Sequence, residues 1–304
     1  MSNQQSKELV MTASAQTAGV KVGFIGLGNI GTPIALSLIR GGFDVTVRDV
    51  RREAAAECTA AGARFADQNT ELADCNLIGI AVVNDAQLLD LALTPDTGLI
   101  DSVPAGTTLI IHSTVLPKSV HAVAEAAQSK GIRVVDAQIS GGDLRAREGD
   151  LAVMVGGEEA DVARCQPYFD AMGRRAVHMG ALGSGAGAKI AVQMMTFGNW
   201  IAAMEAMRLA RALGIEESAL ADLATDATSD SWVIRTWGNY DRLMREHRLA
   251  GSADLFRMFD KDLFNAVALG RELDIELPLT AVGSAVLAPS VKERMAALST
   301  LVEA

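Results

Sequence analysis

KVGFIGLGNIGTPIALSLIRGG, residues 21–42, is an apolar run followed by a glycine-rich turn and a helix-like segment. Three of its glycines are spaced G-x-G-x-x-G, between a predicted strand and a predicted helix. In such a turn the first glycine permits a tight bend, the second lets the backbone approach a pyrophosphate, and the third lets helix and strand pack closely. The N-terminus of the following helix favours the negative charge of phosphates. The predicted cofactor-binding residues are Gly26, Leu27, Gly28, Asn29, Ile30 and Gly31.

Further short apolar runs follow, separated by alanine-rich segments that favour helix. The runs are residues 44–47, 77–83, 107–111, 132–135 and 150–155. Short buried strands that alternate with helices indicate a parallel sheet covered on both faces. From about Ala186 onward strand-like runs cease, and Ala186–Leu213 is typical of one long buried helix that Gly214 ends. The predicted fold class is an α/β N-terminal Rossmann domain plus an all-α C-terminal domain, joined by a long helix.

The change of pattern also predicts the domain boundaries. A chain of 304 residues has room for two cores. We expect a disordered leader at residues 1–19, a dinucleotide-binding Rossmann domain at 20–183, and an all-helical substrate and oligomerisation domain at 184–304. The leader lacks the apolar segment of a signal peptide. Since no run of about 18 apolar residues occurs either, we predict a cytoplasmic protein without a membrane partner.

Composition excludes several other classes of partner. The net charge of −10 argues against nucleic acid, because nucleic-acid binders usually carry a basic stripe. The three cysteines, Cys58, Cys75 and Cys165, are odd in number and widely spaced, which predicts reduced thiols. Four scattered histidines form no ligand-like spacing, and we predict no metal site.

Asp49 bears on the choice of cofactor. It ends the second predicted strand, 18 residues past Gly31, where a carboxylate accepts hydrogen bonds from the ribose 2′-hydroxyl. Its charge should repel a 2′-phosphate, which favours NAD. NADP stays possible, because Arg48, Arg51 and Arg52 lie close in the chain.

Two later segments carry further motifs, VVDAQISGGDLRAREGDLAVMVGG at residues 134–157 and GALGSGAGAKIAVQMM at residues 180–195. Together with the glycine turn they resemble the β-hydroxyacid dehydrogenase family, and the similarity runs from Val22 to Pro278. The resemblance implies hydride transfer between a nicotinamide cofactor and a small 3-hydroxy acid, or its semialdehyde or keto counterpart.

The family motif D-x-P-V-S-G-G matches residues 136–142, with Gln138 in place of the proline. The resemblance implies that Ser140, Gly141 and Gly142 bind the substrate carboxylate. Paired glycines let backbone N–H groups converge on an anion. The alternative is an ordinary loop.

The family motif G-x-G-x-x-x-K matches Gly183, Gly185 and Lys189, and it implies that Lys189 is the catalytic acid/base. Partial desolvation favours the neutral amine that such a role needs. The alternative is a lysine that extends its ammonium to the surface. Gln193 lies four residues on, hence on the same helical face, and is implied to hold the substrate oxygen. Its alternative is a helix-surface amide.

Three more segments match the family. K-D-L-x-x-A begins at Lys261, which the resemblance places over the cofactor, unless it belongs to an ordinary charged helix turn. S-T-x-x-P begins with Ser113 and Thr114, predicted to bind substrate at a strand end. Val83 and Asn84 are predicted to border the nicotinamide-side ribose.

Departures from the family leave some interpretations open. His112 stands where an aspartate often precedes S-T, and it either adds proton chemistry or is a satisfied strand-end histidine. Thr196 replaces the second acid of 6-phosphogluconate dehydrogenase, so assisted decarboxylation is not expected. Imine reductases commonly carry aspartate or tyrosine at the position of Lys189, and non-catalytic nucleotide-binding scaffolds have lost the lysine. Both remain alternatives to the dehydrogenase.

Residues 226–250 match no family template. In this segment, which includes Tyr240, Arg235 either meets a second anionic group of the substrate or belongs to a packing or dimer-interface helix. By analogy with the family, the long helix predicts a homo-oligomer, either a homodimer or a homotetramer.

Overall fold

The computed structural model describes Thr17, residues 19–239, Asp241, Arg242 and residues 255–302, with only the backbone at 255–260 and 297–302. Most of the predicted leader, Tyr240 and residues 243–250 lie outside the described residues. Contacts divide the chain into two units between Lys189 and Ile190, whereas the sequence suggested a division at 183.

The first unit contains a single sheet of eight strands, in the order β3-β2-β1-β4-β5-β6-β7-β8. The strands are β1 Lys21–Ile25, β2 Asp44–Arg48, β3 Arg64–Phe65, β4 Leu77–Ile80, β5 Thr108–Ile111, β6 Arg133–Ser140, β7 Leu151–Gly156 and β8 Gly173–Gly180. The sheet is parallel, as predicted, except at one pair of strands, because β6 and β7 are antiparallel. The ten residues between them are too few for a parallel crossover, which takes a dozen or more. Strands β3 and β8 were not predicted, since β3 is very short and β8 is largely exposed.

The α-helices of the first unit lie mostly between strands. They are α1 Gly31–Arg40, α2 Ala56–Ala60, α3 Asp85–Leu93, α4 Leu99–Ser102, α5 Pro117–Gln128, α6 Gly142–Glu148, α7 Glu159–Arg164 and α8 Gln166–Met172. The long helix α9, Ser184–Ala212, begins in this unit and continues into the second.

Apolar side chains of the sheet are buried on both of its faces. In β1, Val22 and Phe24 belong to one buried cluster with Leu38 of α1. Ile25 points to the other face and joins a second cluster with Leu88 of α3. This alternation follows from the two-residue period of a strand. The predicted Rossmann domain is confirmed.

The strand register brings the ends of three strands and the last part of a fourth to one edge of the sheet. Ile25 pairs with Ile80 and Ile80 with Ile111, so β1, β4 and β5 end level with one another, and Ile111 pairs with Asp136, after which β6 continues to Ser140. In open α/β sheets, ligands bind outside this edge. The residues that follow β1, β4 and β5, and the last part of β6, therefore form the candidate site.

The described part of the second unit is helical, as predicted. Besides the rest of α9 it contains α10 Glu217–Thr225, α11 Trp232–Arg235, α12 Leu255–Glu272 and α13 Pro278–Val302. Gly214 has a φ of +76°, a conformation that glycine adopts without strain, and it follows the end of α9 as predicted. Arg294 of α13 donates hydrogen bonds to Glu217 and Asp241 and lies 4.3 Å from the centre of the Trp237 ring.

Candidate active site

The three glycines of the turn after β1 meet three different requirements. Gly26 has a φ of +93°, and a Cβ there would collide with the carbonyl oxygen of Ala81. At Gly31 a Cβ would collide with the carbonyl oxygen of Gly26, so glycine lets α1 approach β1. At Gly28 a Cβ would meet nothing within 4 Å, and this residue and Asn29 are exposed. The turn therefore presents open backbone at the N-terminal end of α1, which fits a pyrophosphate group.

Asp49 connects this turn to the end of β2. Its Oδ2 accepts a hydrogen bond of 2.7 Å from the N–H of Leu27, and its Oδ1 accepts one of 2.9 Å from Arg51. A carboxylate oxygen has a second acceptor site, so these bonds leave capacity for a ribose hydroxyl. Arg52 is engaged elsewhere, because it binds Asp67 at 2.7 Å.

The loops after β4 and β5 are held together by side chains. Ser113 is buried, and its hydroxyl accepts a 2.9 Å hydrogen bond from the N–H of Val82. Ser113 therefore holds this loop in place, and its predicted role in substrate binding stays a prediction. Asn84 caps α3 by accepting a 2.9 Å hydrogen bond from the N–H of Gln87. Its neighbour Val83 is exposed. Thr114, the other predicted substrate residue here, is half-buried.

Asp85 was not predicted as a site residue, yet it fixes the same two loops. Its Oδ1 accepts hydrogen bonds from the N–H of Leu116 at 2.9 Å and from the Ser119 hydroxyl at 2.6 Å. No local pattern distinguishes this aspartate from an ordinary helix-starting acid, so its role appears only when α3 and α5 are seen side by side.

His112 is a satisfied strand-end histidine. Its Nδ1 lies 2.7 Å from the carbonyl oxygen of Ala137, and its Nε2 lies 2.8 Å from the Tyr168 hydroxyl. A carbonyl oxygen only accepts, so Nδ1 carries the proton and Nε2 accepts from the tyrosine. Burial lowers the pKa of His112 to about 4. The ring is therefore neutral near pH 7 and unsuited to the proton chemistry considered above.

Asp136 anchors the helix that carries Lys189. The carboxylate is fully buried, and it accepts hydrogen bonds from the N–H groups of Gly183 at 2.8 Å and Ala186 at 2.7 Å. These backbone groups belong to the first turn of α9, which has no partners for them inside the helix. A Cβ at Gly185 would lie 2.9 Å from Asp136 Oδ2, so glycine is needed for this close approach. The family motif contained Asp136, but its partners 47 and 50 residues away were not predictable.

Lys189 lies one helical turn after Gly185 and is 7% exposed. It is therefore a buried lysine and not a surface residue. The predicted anion-binding loop ends the strand that holds Asp136: Gly141 and Gly142 have φ values of +140° and +74°, and Gly142 is exposed. Asp136 thus connects the strand of the glycine loop directly to the helix of the lysine.

In the second unit, Gln193 and the K-D-L motif are joined. Gln193 Nε2 donates a 2.7 Å hydrogen bond to Asp262, which is 3% exposed. Lys261 Nζ lies 3.2 Å from the other oxygen of Asp262. The amide of Gln193 is therefore oriented by a buried carboxylate, unlike that of a free surface glutamine.

The structure gives little support to a substrate role for Arg235. Its guanidinium donates two hydrogen bonds to Asp230, at 2.8 and 2.9 Å. An anionic substrate group would have to displace this carboxylate.

Two further observations concern metals and thiols. Among the described residues, no three or more His, Cys, Asp or Glu side chains cluster as a metal site would require. The three cysteines are buried and unpaired. Burial raises the pKa of Cys58 to about 11 and that of Cys75 and Cys165 to about 12, which keeps these thiols protonated.

Over the described residues, no helix has the length and apolar character that crossing a bilayer demands.

Comparison with known proteins identifies the family. Residues 21–180 match the NAD binding domain of 6-phosphogluconate dehydrogenase, and residues 183–299 match the NAD-binding family of NADP-dependent 3-hydroxyisobutyrate dehydrogenase. An uncharacterized oxidoreductase of Mycobacterium tuberculosis is 36% identical over 88% of this chain and 92% of its own length. The chain belongs to the β-hydroxyacid dehydrogenase family.

Characterised members of this family are also similar. A 3-hydroxyisobutyrate dehydrogenase of Pseudomonas aeruginosa is 30% identical over 86% of this chain and 89% of its own length. The solved structure of Mycobacterium tuberculosis 3-hydroxyisobutyrate dehydrogenase with L-serine has a TM-score of 0.77 and 26% identity, and it covers 89% of this chain and 93% of that one. The predicted enzyme class, an NAD(P)-dependent oxidoreductase of the β-hydroxyacid dehydrogenase family, is confirmed.

Proposed function

We propose that this β-hydroxyacid dehydrogenase oxidises a small 3-hydroxy acid to its semialdehyde or keto counterpart, and catalyses the reverse reduction, with Lys189 as acid/base. The observation that carries the proposal is the buried carboxylate of Asp136. It binds the first turn of the helix that bears Lys189, and it lies on the strand that ends in Ser140 and the two glycines. The helix of the proposed proton-transferring amine and the strand of the proposed anion-binding loop are thereby joined by hydrogen bonds through one side chain.

Each residue has a defined task in this proposal. The backbone at Gly141 and Gly142, together with the Ser140 hydroxyl, binds the substrate carboxylate. Lys189 as the neutral amine accepts the proton of the substrate hydroxyl during oxidation, and as the ammonium it returns that proton during reduction. Gln193, held by Asp262, steadies the same oxygen. The assignment of Gln193 and of Lys261 rests on the family resemblance.

The residues of the first unit fit a nicotinamide dinucleotide. The open backbone at Gly28 would hold the pyrophosphate, Asp49 the adenosine ribose, and Val83 and Asn84 the second ribose. When bound, the nicotinamide ring supplies the hydride acceptor or donor. We propose NAD as the preferred form, because the Asp49 carboxylate repels a 2′-phosphate.

The imine reductase alternative has less support, since relatives with a named activity include a 3-hydroxyisobutyrate dehydrogenase and this chain has lysine at position 189. The scaffold alternative would bind nucleotide and turn nothing over.

Replacement of Lys189 by alanine tests the proposal. We expect kcat to fall by about 10²–10⁴ with NAD affinity unchanged, because the acid/base is lost while the cofactor residues stay intact. Turnover of 3-hydroxy acids would be followed by NADH absorbance and NAD affinity by calorimetry. Lys130→Ala is the matched control, since this lysine is exposed and paired with Asp101. Turnover near that of the wild type in Lys189→Ala would refute the role.

We further propose a cytoplasmic homo-oligomer, either a dimer or a tetramer. Buried, unpaired thiols suit a reducing compartment. The second unit exposes large apolar side chains, among them Leu209, Leu213, Leu223, Leu279 and Val282. Exposed apolar surface of this kind favours a protein interface. Sedimentation equilibrium would determine the order, and a monomer at all concentrations would exclude this arrangement.

A further inference from the structure

Gln138 is the place where the chain departs from its family motif inside the candidate site. It occupies the proline position of D-x-P-V-S-G-G, and its side chain is completely buried. A buried amide replaces a residue with no side-chain polar atoms, so the site gains two polar groups that need partners.

The hydrogen-bond partners of the Gln138 amide nitrogen determine where its amide oxygen points. Gln138 Nε2 donates long hydrogen bonds to the carbonyl oxygens of Ile111, at 3.4 Å, and Ser113, at 3.3 Å. Carbonyl oxygens only accept, so the amide nitrogen must face them and a flipped amide would oppose oxygen to oxygen. The orientation of Gln138 is thereby decided, and Oε1 points away from both carbonyls.

No donor among the described residues reaches Gln138 Oε1, although this atom is buried. A buried acceptor that makes no hydrogen bond is unfavourable, and native proteins keep few of them unless a ligand or water supplies the donor.

The location of this acceptor points to a ligand. Every second residue of a strand faces the same side of the sheet, so Gln138 lies between Asp136 and Ser140 on one face of β6. Asp136 binds the start of the Lys189 helix, and Ser140 begins the loop proposed to hold the carboxylate. The carbonyl partners of Gln138 are at the carboxyl end of β5, on the ligand-binding edge. Two residues of a strand span roughly 6.6 Å, so the backbone of Gln138 lies about that far along β6 from Ser140, the serine proposed to bind the carboxylate.

We infer that Gln138 is a specificity-determining residue whose Oε1 accepts a hydrogen bond from a donor on C2 of the substrate, beside the carboxylate. The inference rests on the proposed function. The substrate class is a 3-hydroxy acid with a hydroxyl or ammonium group at C2, in preference to one with hydrogen or methyl there. Both donors offer the same chemistry to the amide oxygen, and the experiment separates them.

The test compares four substrates that differ at C2: glycerate with a hydroxyl, serine with an ammonium, 3-hydroxypropionate with hydrogen and 3-hydroxyisobutyrate with methyl. For the wild type we expect kcat/KM for glycerate or serine to exceed that for 3-hydroxypropionate by at least about tenfold, because a site built around a hydrogen bond discriminates against an analogue that lacks it. In Gln138→Met, which keeps length and loses the acceptor, the ratio should fall to within about twofold of unity. Gln128→Met, an exposed glutamine at the end of α5, is the matched control and should keep the wild-type ratio.

Two results would overturn the inference: a ratio that Gln138→Met leaves unchanged, or an equal fall of kcat/KM for all four substrates. The first means that the acceptor binds only water, and the second means that the side chain is only structural. Gln138→Pro, the family residue, serves as a second variant if the methionine variant does not fold.

Binding separates this inference from the proposed function. Calorimetric affinities of the four acids for the NAD complex should show the same ratio and the same loss in the variant. If the wild type oxidises none of them, the proposed function fails, while the affinity ratio still decides the role of Gln138.

Discussion

The two units stabilise their buried polar side chains in different ways. In the first unit, Asp136 binds backbone N–H groups, and His112 binds a backbone carbonyl and a tyrosine hydroxyl. In the second unit, a cluster of charged side chains is held by ion pairs between distant helices. Arg294 is 11% exposed at its side chain and binds Glu217 and Asp241.

The difference has a physical consequence for each unit. Backbone groups of strands and helix ends cannot move independently, so side chains bound to them are held in fixed positions, as a catalytic site requires. Ion pairs join helices that are distant in the chain. Burying each charge costs free energy of desolvation, and only the attraction to its partner offsets that cost. We therefore expect the second unit to lose more stability from one lost charge, and the first to respond more to pH.

The loss of Arg294 tests the second unit. Arg294→Met should lower the free energy of unfolding by about 3–5 kcal/mol, because Glu217 and Asp241 stay half-buried or buried without their cation. Urea unfolding at neutral pH measures the change. Arg208→Met is the matched control, since this arginine is 47% exposed and pairs with an exposed Glu293. The control should lose less than about 1 kcal/mol, and equal losses in the two variants would contradict the comparison.

The same cluster has a defined pH dependence. Burial works to raise the pKa of Glu217, but hydrogen bonds from Arg294 and Trp237 outweigh it and lower the pKa below its usual 4.5. The stabilisation from this carboxylate is therefore complete above pH 4.5 and is lost as the pH falls through the lower, folded-state pKa.

His112 tests the first unit. Its pKa is about 4 in the folded protein and 6.5 when exposed, so between these values only the unfolded chain binds the proton. The free energy of unfolding should therefore fall as the pH decreases from 6.5, by about 3 kcal/mol at full titration. Urea unfolding of the wild type and of His112→Phe should be measured across this pH range. We expect this fall in the free energy of unfolding in the wild type and not in the variant. His178→Phe, on the edge strand β8, should keep the wild-type dependence. An unchanged slope in His112→Phe would show that other groups cause the acid sensitivity.

Asp49 gives the smallest effect of the three. Asp49→Asn keeps an oxygen for the Leu27 N–H and removes the charge, so the preference for NAD over NADP should fall about tenfold, or about 1.4 kcal/mol. Dissociation constants of both cofactors measure the ratio. Asp44→Asn, an exposed carboxylate at the opposite end of β2, is the control and should leave the ratio unchanged. A ratio that does not move would assign the choice of cofactor to other residues.

Local patterns predicted much of the fold. The spacing of Gly26, Gly28 and Gly31 and the short apolar runs predicted the Rossmann domain, and Gly214 predicted the end of the long helix. The antiparallel β7 and the edge strand β8 were harder to predict: β8 is largely exposed, so its residues carry little of the apolar pattern that marks a strand.

For the candidate site, the sequence by itself determined which chemical groups are present: the glycines, the carboxylates and Lys189. Only the tertiary structure decided that Asp136 binds the helix start 47 residues later, that Ser113 holds a loop, and that Gln138 turns its oxygen away from β5. The reason is that a hydrogen bond depends on distance and direction to a partner. Between residues far apart in the chain, both are set by the packing of strands and helices and not by the neighbouring sequence.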